Sequence, residues 1–275
     1  MPGPEVDAGP ALEAAALLGP YFAWQPHRPD PADRAGRLPC SADAGWRPMS
    51  DLLDPEVVAE RVAAGRRTLC RMSGLGPEAI EERVVASTIF LQLASRLVSP
   101  LVAAASVHGA LPVADPARLW WQPVEGGPMP IAYGGLSAVA CAGWDAAEVA
   151  EAFTRTEIRA LVEPVLEVFR ERFRLSPQVL WGNVASALGG AAGMIAGNAP
   201  GFAERSAAVV AAVLAVPPLT GTAALIRPDP TRARWFLVRH NCCLYYRIPG
   251  GGTCGDCVLI PEDARRRHWQ AVLAR

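Results

Sequence analysis

The chain has 275 residues, 51% of them hydrophobic and 19% charged, which excludes a disordered tail and allows one large domain or two modest ones around a buried core. Its 26 basic residues, every one an Arg, balance 27 acidic ones at a net charge of -1, which argues against an electrostatic clamp on nucleic acid.

Residues 1–7 carry Glu5 and Asp7 ahead of the first apolar run and no basic segment, so they do not read as a secretory signal, and the expected location is the cytoplasm. Residues 25–50 are rich in Pro and Arg and read as a loop. Asp54-Pro55-Glu56 is a helix start, with an Asp cap, Pro in the first turn and an acid behind it, and predicts a helix to about Leu69. Gly76-Pro77-Glu78 opens a second helix in which Ile80, Val84, Val85, Thr88, Leu91 and Leu97 recur at helical spacing, to be ended or kinked at Pro100. Leu119-Trp120-Trp121 and Met129-Pro130-Ile131-Ala132-Tyr133 read as two short strands about Gly126-Gly127, with the two Trp on opposite faces.

Helical periodicity returns over residues 145–173, where Val149, Phe153, Ile158, Leu161, Val165, Leu166 and Phe169 form one stripe interrupted at Pro164. A small-residue helix follows over 178–197, its Gly189, Gly190, Gly193 and Gly197 expected to admit a neighbouring helix, and another helix over 202–214 stops before Pro217-Pro218. The glycine run lacks the spacing and the preceding strand of a dinucleotide fingerprint. The apolar run at 207–219 covers 13 residues, short of the roughly 20 needed to span a bilayer, and 184–196 is equally short, so no transmembrane segment is expected.

Seven cysteines are present, with Cys40, Cys70 and Cys141 scattered and Cys242, Cys243, Cys254 and Cys257 clustered as C-C-x10-C-x2-C. An odd number in a chain read as cytoplasmic argues against a disulfide framework and leaves metal or redox chemistry for the cluster of four. Four thiolates suit tetrahedral zinc or a [2Fe-2S] centre. Adjacent Cys242 and Cys243 favour the binuclear cluster, because two thiolates from neighbouring residues reach one ion awkwardly, while two irons offer more ways to share them. Gly250-Gly251-Gly252 and Gly255 let the backbone fold tightly near sulfur. Arg239, His240 and Arg247 flank the site, as charges that stabilise the reduced state or as ordinary solvated groups; His240 is placed beside the metal, not among its ligands, and His27, His108 and His268 are read as structural.

Cys242-Cys243, Leu244-Tyr245-Tyr246-Arg247, the glycine-rich spacer and Cys254-Gly255-Asp256-Cys257 together resemble the C-terminal signature of the FhuF family of ferric siderophore reductases. Weaker likeness at Leu180-Trp181-Gly182-Asn183 and from Ala86-Ser87 to Pro100 extends the resemblance over about residues 55–260. It implies a [2Fe-2S] protein that reduces Fe(III) in a hydroxamate-type siderophore. With no flavin or nucleotide fingerprint in the chain, the electron is expected from a ferredoxin or flavin reductase, and a transient association with a membrane transporter goes with the same role. Trp181, Asn183 and Arg247 are the candidate substrate contacts, although Trp181 and Asn183 also read as a buried helix start. A zinc-stapled binding module and an iron–sulfur carrier or sensor without a siderophore site remain as alternatives.

The expected architecture is a predominantly helical α+β fold with a few short antiparallel strands. An N-terminal lobe would span 1–140 and a C-terminal lobe 141–275, the latter carrying the iron–sulfur segment 240–258 and a strand within 235–247.

Overall fold

The computed structural model describes residues 3–27 and 45–274. Most of the Pro- and Arg-rich loop expected at 25–50, with Cys40, lies outside the described residues. The chain is a predominantly helical α+β protein.

In order, it runs β1 (Glu5–Asp7), α1 (Gly9–Ala16), β2 (Trp24–Pro26), β3 (Arg47–Pro48), α2 (Pro55–Ser73), α3 (Glu82–Val107), β4 (Ala110–Pro112), β5 (Leu119–Trp121), β6 (Ile131–Tyr133), β7 (Ser137–Ala140), α4 (Ala146–Phe153), α5 (Glu163–Phe173), α6 (Pro177–Asn198), α7 (Ala203–Ala215), β8 (Ala223–Ile226), β9 (Phe236–Arg239) and α8 (Glu262–Leu273). Its centre is the pair α3 and α6, which lie against each other while α1, α2, α5 and α7 pack around α3. Both are long and apolar enough to cross a membrane by length and composition, a property missed in the linear reading, yet most of each apolar window is buried inside the fold. One continuous apolar core runs from Leu12 through Phe90 and Leu188 to Ile248, and so joins the segments on either side of residue 140.

Local sequence accounts for these elements. Asp54 accepts from Glu56 N–H with Pro55 in the first turn, and Gly74 closes α2 in the left-handed region at φ 67°. The second helix begins later than Gly76-Pro77-Glu78 predicts. Pro77–Ala79 makes only a 3₁₀ turn, Ile80 and Glu81 are extended, and α3 starts at Glu82. The extended step sends Ile80 into the core, where it is fully buried.

Pro100 does not end α3, which continues to Val107. A proline at this position has no N–H for the carbonyl four residues back, at Arg96. That carbonyl instead accepts from the indole Nε1 of buried Trp24 at 2.8 Å, so the proline leaves no polar group unsatisfied. The Arg96 side chain extends the same tie. Its guanidinium donates to the carbonyls of Met129, Pro20 and Ala23 at 2.7, 2.5 and 2.5 Å, fastening α3 to the N-terminal segment and to the approach to β6. Ahead of Pro164 the helix widens into a π turn over Thr154–Val162, a rare form, and this turn carries Glu157, fully buried.

The strands form three small sheets, ordered β1-β7-β4, β2-β6-β5-β3 and β8-β9. The two strands expected at 119–121 and 129–133 pair antiparallel, with Trp121 opposite Ile131. Trp121 is buried, while half-buried Trp120 on the other face stacks on His27. The expectation of antiparallel strands alone is corrected at β2, which runs parallel to β6 because a long helical excursion separates them in the chain. The strand expected at 235–247 is shorter: β9 stops at Arg239, and Tyr245–Arg247 is a 3₁₀ turn.

Candidate iron–sulfur site

The small-residue helix α6 is the bed on which the cysteine segment lies. A Cβ added to Gly189 would stand 2.6 Å from Leu237 Cδ1 of β9, and one added to Gly182 would stand 1.8 Å from Asn241 Oδ1. The glycine face therefore admits a strand and the loop after it, not the neighbouring helix expected from the sequence. Gly190 and Gly193 face open space.

Leaving β9, the chain places Asn241 on Gly182 and then turns sharply at Leu244, a non-glycine residue at φ 69°. This turn points Leu244 N–H at Cys242 Sγ, 3.3 Å away, and Leu259 N–H makes the matching contact to Cys257 Sγ at 3.4 Å. Gly250 and Gly252, both at positive φ, let the spacer double back. Cys243 Sγ and Cys254 Sγ then meet at 3.5 Å, and Cys242 lies within electrostatic reach of Cys243 and Cys257. The fold thus puts Cys243 and Cys254 in contact, with Cys242 in electrostatic reach of Cys243 and Cys257. Cys243 and Cys257 are buried, Cys242 and Cys254 half-exposed, so one edge of the site faces outward.

The thiols differ in acidity. The hydrogen bond shared with Cys254 pulls the Cys243 thiol down to about 6, so Cys243 is the member of that pair that ionises first. Cys254 keeps the shared proton and is pushed up, with burial and the Asp256 carboxylate adding to the effect. Burial also raises Cys242. Among the described residues no three His, Cys, Asp or Glu side chains form a group able to hold one metal ion.

Arg239 supplies the charge that this donor set needs. Its side chain is fully buried, Nη2 donates to Asn183 Oδ1 at 2.8 Å and to Asn241 Oδ1 at 3.1 Å, and Nε and Nη1 have no partner. No carboxylate pairs with it among the described residues. A cation buried in this way is costly unless negative charge stands nearby, and it acts on Cys242 and Cys243 in the direction that favours their thiolates. Four thiolates around two ferric ions and two sulfides leave a net dianion, so the orphaned guanidinium and the donor set together fit a [2Fe-2S] cluster.

Of the candidate substrate contacts, Trp181 and Asn183 take the buried helix-start reading. Asn183 is fully buried; besides accepting from Arg239, its Nδ2 donates to the carbonyl and hydroxyl oxygens of Ser87 at 2.8 and 3.0 Å. Ser87 Oγ donates onward to the Cys243 carbonyl at 2.7 Å. Asn183 therefore holds the cysteine loop and offers nothing to a ligand, because its amide is spent on internal partners. Trp181 is buried in the apolar core. Arg247 is exposed and ion-paired to Glu81 at the start of α3, 3.2 Å away, which pins the loop to that helix and leaves Arg247 apart from the other two. His240 is exposed, its Nδ1 against the Gly221 carbonyl at 3.0 Å, in keeping with a place outside the ligand set. Buried Cys141 and half-buried Cys70 are remote in sequence and take no part in the group of four.

Three contributors escaped the linear reading. Ser87 and Asn241 stand among the motif residues without a chemical mark of their own. Ser186 donates to Asp256 Oδ2 at 2.5 Å and so ties α6 to the residue between Cys254 and Cys257; the acid inside the C-x2-C step was the available signal.

No curated protein matches the chain. The family model of the FhuF 2Fe-2S C-terminal domain matches residues 239–259, a span that opens at Arg239 and takes in the four cysteines. The segment that β9, α6 and Arg239 hold together is thus similar to the FhuF 2Fe-2S C-terminal domain, and the match indicates a [2Fe-2S] cluster rather than zinc as its cofactor.

Proposed function

We propose that the protein is a ferric siderophore reductase of the cytoplasm, with Cys242, Cys243, Cys254 and Cys257 as ligands of its cluster. The observation that carries this reading is the match of residues 239–259 to the FhuF 2Fe-2S domain, on a loop where a buried guanidinium without a carboxylate partner among the described residues acts on Cys242 and Cys243. A bound [2Fe-2S] cluster supplies one electron at a time, which converts siderophore-held Fe(III) to Fe(II) and is replaced from outside by a ferredoxin or flavin reductase. Oxygen chelators such as hydroxamates hold Fe(II) less tightly than Fe(III), so reduction releases the metal. A transient contact with the transporter that delivers the chelate belongs to the same proposal.

The chain's own residues prepare that transfer. Arg239 offsets negative charge next to Cys242 and Cys243, and the N–H groups of Leu244 and Leu259 point at sulfur; both features make an added electron less costly. Half-exposed Cys242 and Cys254 would leave one edge of a bound cluster open to its electron donor and acceptor.

The test is anaerobic mixing of dithionite-reduced, cluster-loaded protein, freed of excess reductant, with a ferric tris-hydroxamate. The expected result is recovery of the oxidised cluster spectrum, with one Fe(II) trapped by a ferrous chelator per cluster reoxidised. A cluster that stays reduced would overturn the reading in favour of an electron carrier or sensor without a siderophore site.

A further inference from the structure

A cavity of about 650 Å³ opens between α2, α3, α6 and the turn joining β5 to β6. That volume falls in the roughly 300–1,000 Å³ range of small-molecule sites. Its wall is mostly apolar, including Ile89, Leu91, Ala187 and Ala191, and its rim carries side chains that a folded chain ordinarily hides: Met72 is 80% exposed, Met194 47% and Tyr21 38%. Methionine at such a rim adapts its shape to what it covers.

Two features identify the occupant. The first is position. Ser186 lines this cavity, and its hydroxyl donates to Asp256, between Cys254 and Cys257, at 2.5 Å; one side chain thus separates the cavity from the cysteine loop. The second is charge. The ionisable groups lining it are Arg61, whose Nη1 is spent on the Val124 carbonyl at 2.9 Å, and Glu125, paired with Arg71 at 3.2 Å, together with Tyr21. Three hydroxamates, each a monoanion, neutralise Fe(III), whereas three catecholates leave a trianion, and the single cation of this wall, Arg61, which has no carboxylate partner among the described residues, does not offset three negative charges. A depression of about 860 Å³ between β9 and α8 has the opposite character, with Asp229, Arg232, Glu262, Arg265 and Arg266 along it.

We propose that the cavity between α2, α3 and α6 is the binding site of the ferric chelate, which it takes as a complex without net charge at the metal. The inference rests on the reductase reading and assigns that reading its site. Gly190 gives the test, because it lines the cavity and a Cβ placed there meets nothing within 4 Å, so a larger side chain fills the cavity without displacing the fold.

Gallium(III) tris-hydroxamate, which takes no electron, is titrated calorimetrically into cluster-loaded wild type, Gly190→Phe, Gly190→Leu and Gly193→Phe. Gly193 is outside the cavity lining and is the control on the same helix. The expected result is a loss of affinity of about tenfold or more in Gly190→Phe and a smaller loss in Gly190→Leu, with the cluster spectrum and potential unchanged and Gly193→Phe equal to wild type. Equal binding by wild type and Gly190→Phe would overturn the site and leave the reductase reading standing. Loss of the cluster in both Gly190 variants would contradict the open space assigned to that residue. Equal affinity for a gallium tris-catecholate would overturn the charge argument. A wild type that neither binds the gallium complex nor reduces its ferric counterpart would remove reading and site together.

Discussion

Arg239 concentrates the electrostatics of the molecule in one side chain, since it is buried without a carboxylate and two of its nitrogens lack a partner. Arg239→Gln keeps a donor for Asn183 and removes the charge. The midpoint potential should fall by tens of millivolts, where about 59 mV is a tenfold change for one electron; a potentiometric titration followed by the visible spectrum measures it, and an unchanged potential would deny Arg239 this role. Glu157 is a buried charge problem of a different kind. Burial raises its carboxyl to about 8, Oε1 accepts weakly from Ala114 N–H at 3.4 Å, and Oε2 has no partner. In the unfolded chain this group ionises near its ordinary value of 4.5, so between about pH 4.5 and 8 the unfolded state holds fewer protons and stability falls as pH rises. By pH 7 the cost is of order 3 kcal/mol. Glu157→Gln should flatten that part of the stability–pH curve and raise the melting temperature at pH 8; a curve parallel to wild type would contradict it. Glu157 was part of a helical pattern in the sequence, and only the π turn that carries it inward distinguishes it from the surface acids around it.

At the scale of elements, α6 and α3 each turn an apparent irregularity into a contact. Gly182 and Gly189 on α6 are where Asn241 and Leu237 descend. Gly182→Ala should displace Asn241 and lower the iron bound per chain, whereas Gly190→Ala, with open space above it, should stabilise the helix by a few tenths to about 1 kcal/mol. Iron content and thermal melts distinguish the two positions, and equal behaviour would refute the assignment. On α3, Trp24→Phe leaves the Arg96 carbonyl without a donor and should cost about 1–3 kcal/mol. Pro100→Ala restores a backbone N–H for that carbonyl, so the double variant should be more stable than the sum of the two single effects; simple additivity would show that the indole does not replace the missing bond. The sequence made these helices legible through Asp54-Pro55, their apolar spacing and the glycine-rich face. It left out what lies on each face, because the indole that serves the Arg96 carbonyl comes from 72 residues away in the chain, a separation that no local pattern records.

For the whole molecule, the cluster segment is short and gains its shape from contacts made across the fold. Ser87 on α3, Asn183 on α6 and Arg239 on β9 form one buried chain of hydrogen bonds ending at the Cys243 carbonyl. The two stretches around Ser87 and Asn183 that carry the upstream resemblance are therefore the floor under the cysteines. The four cysteines could be picked out in the sequence because their chemistry and spacing are local. The roles of Asn183 and Trp181 could not, because an amide or an indole reads the same whether it faces a ligand or an interior partner; the structure turns both inward.

The claim on which all of this depends is the cluster on its four thiolates, and it is met most directly by the visible spectrum with iron, zinc and acid-labile sulfide content of anaerobically purified protein, beside Cys254→Ser. The account predicts about two irons and two sulfides per chain, with the absorption lost or altered in the variant. A colourless protein with about one zinc per chain, unchanged by the substitution, would contradict it.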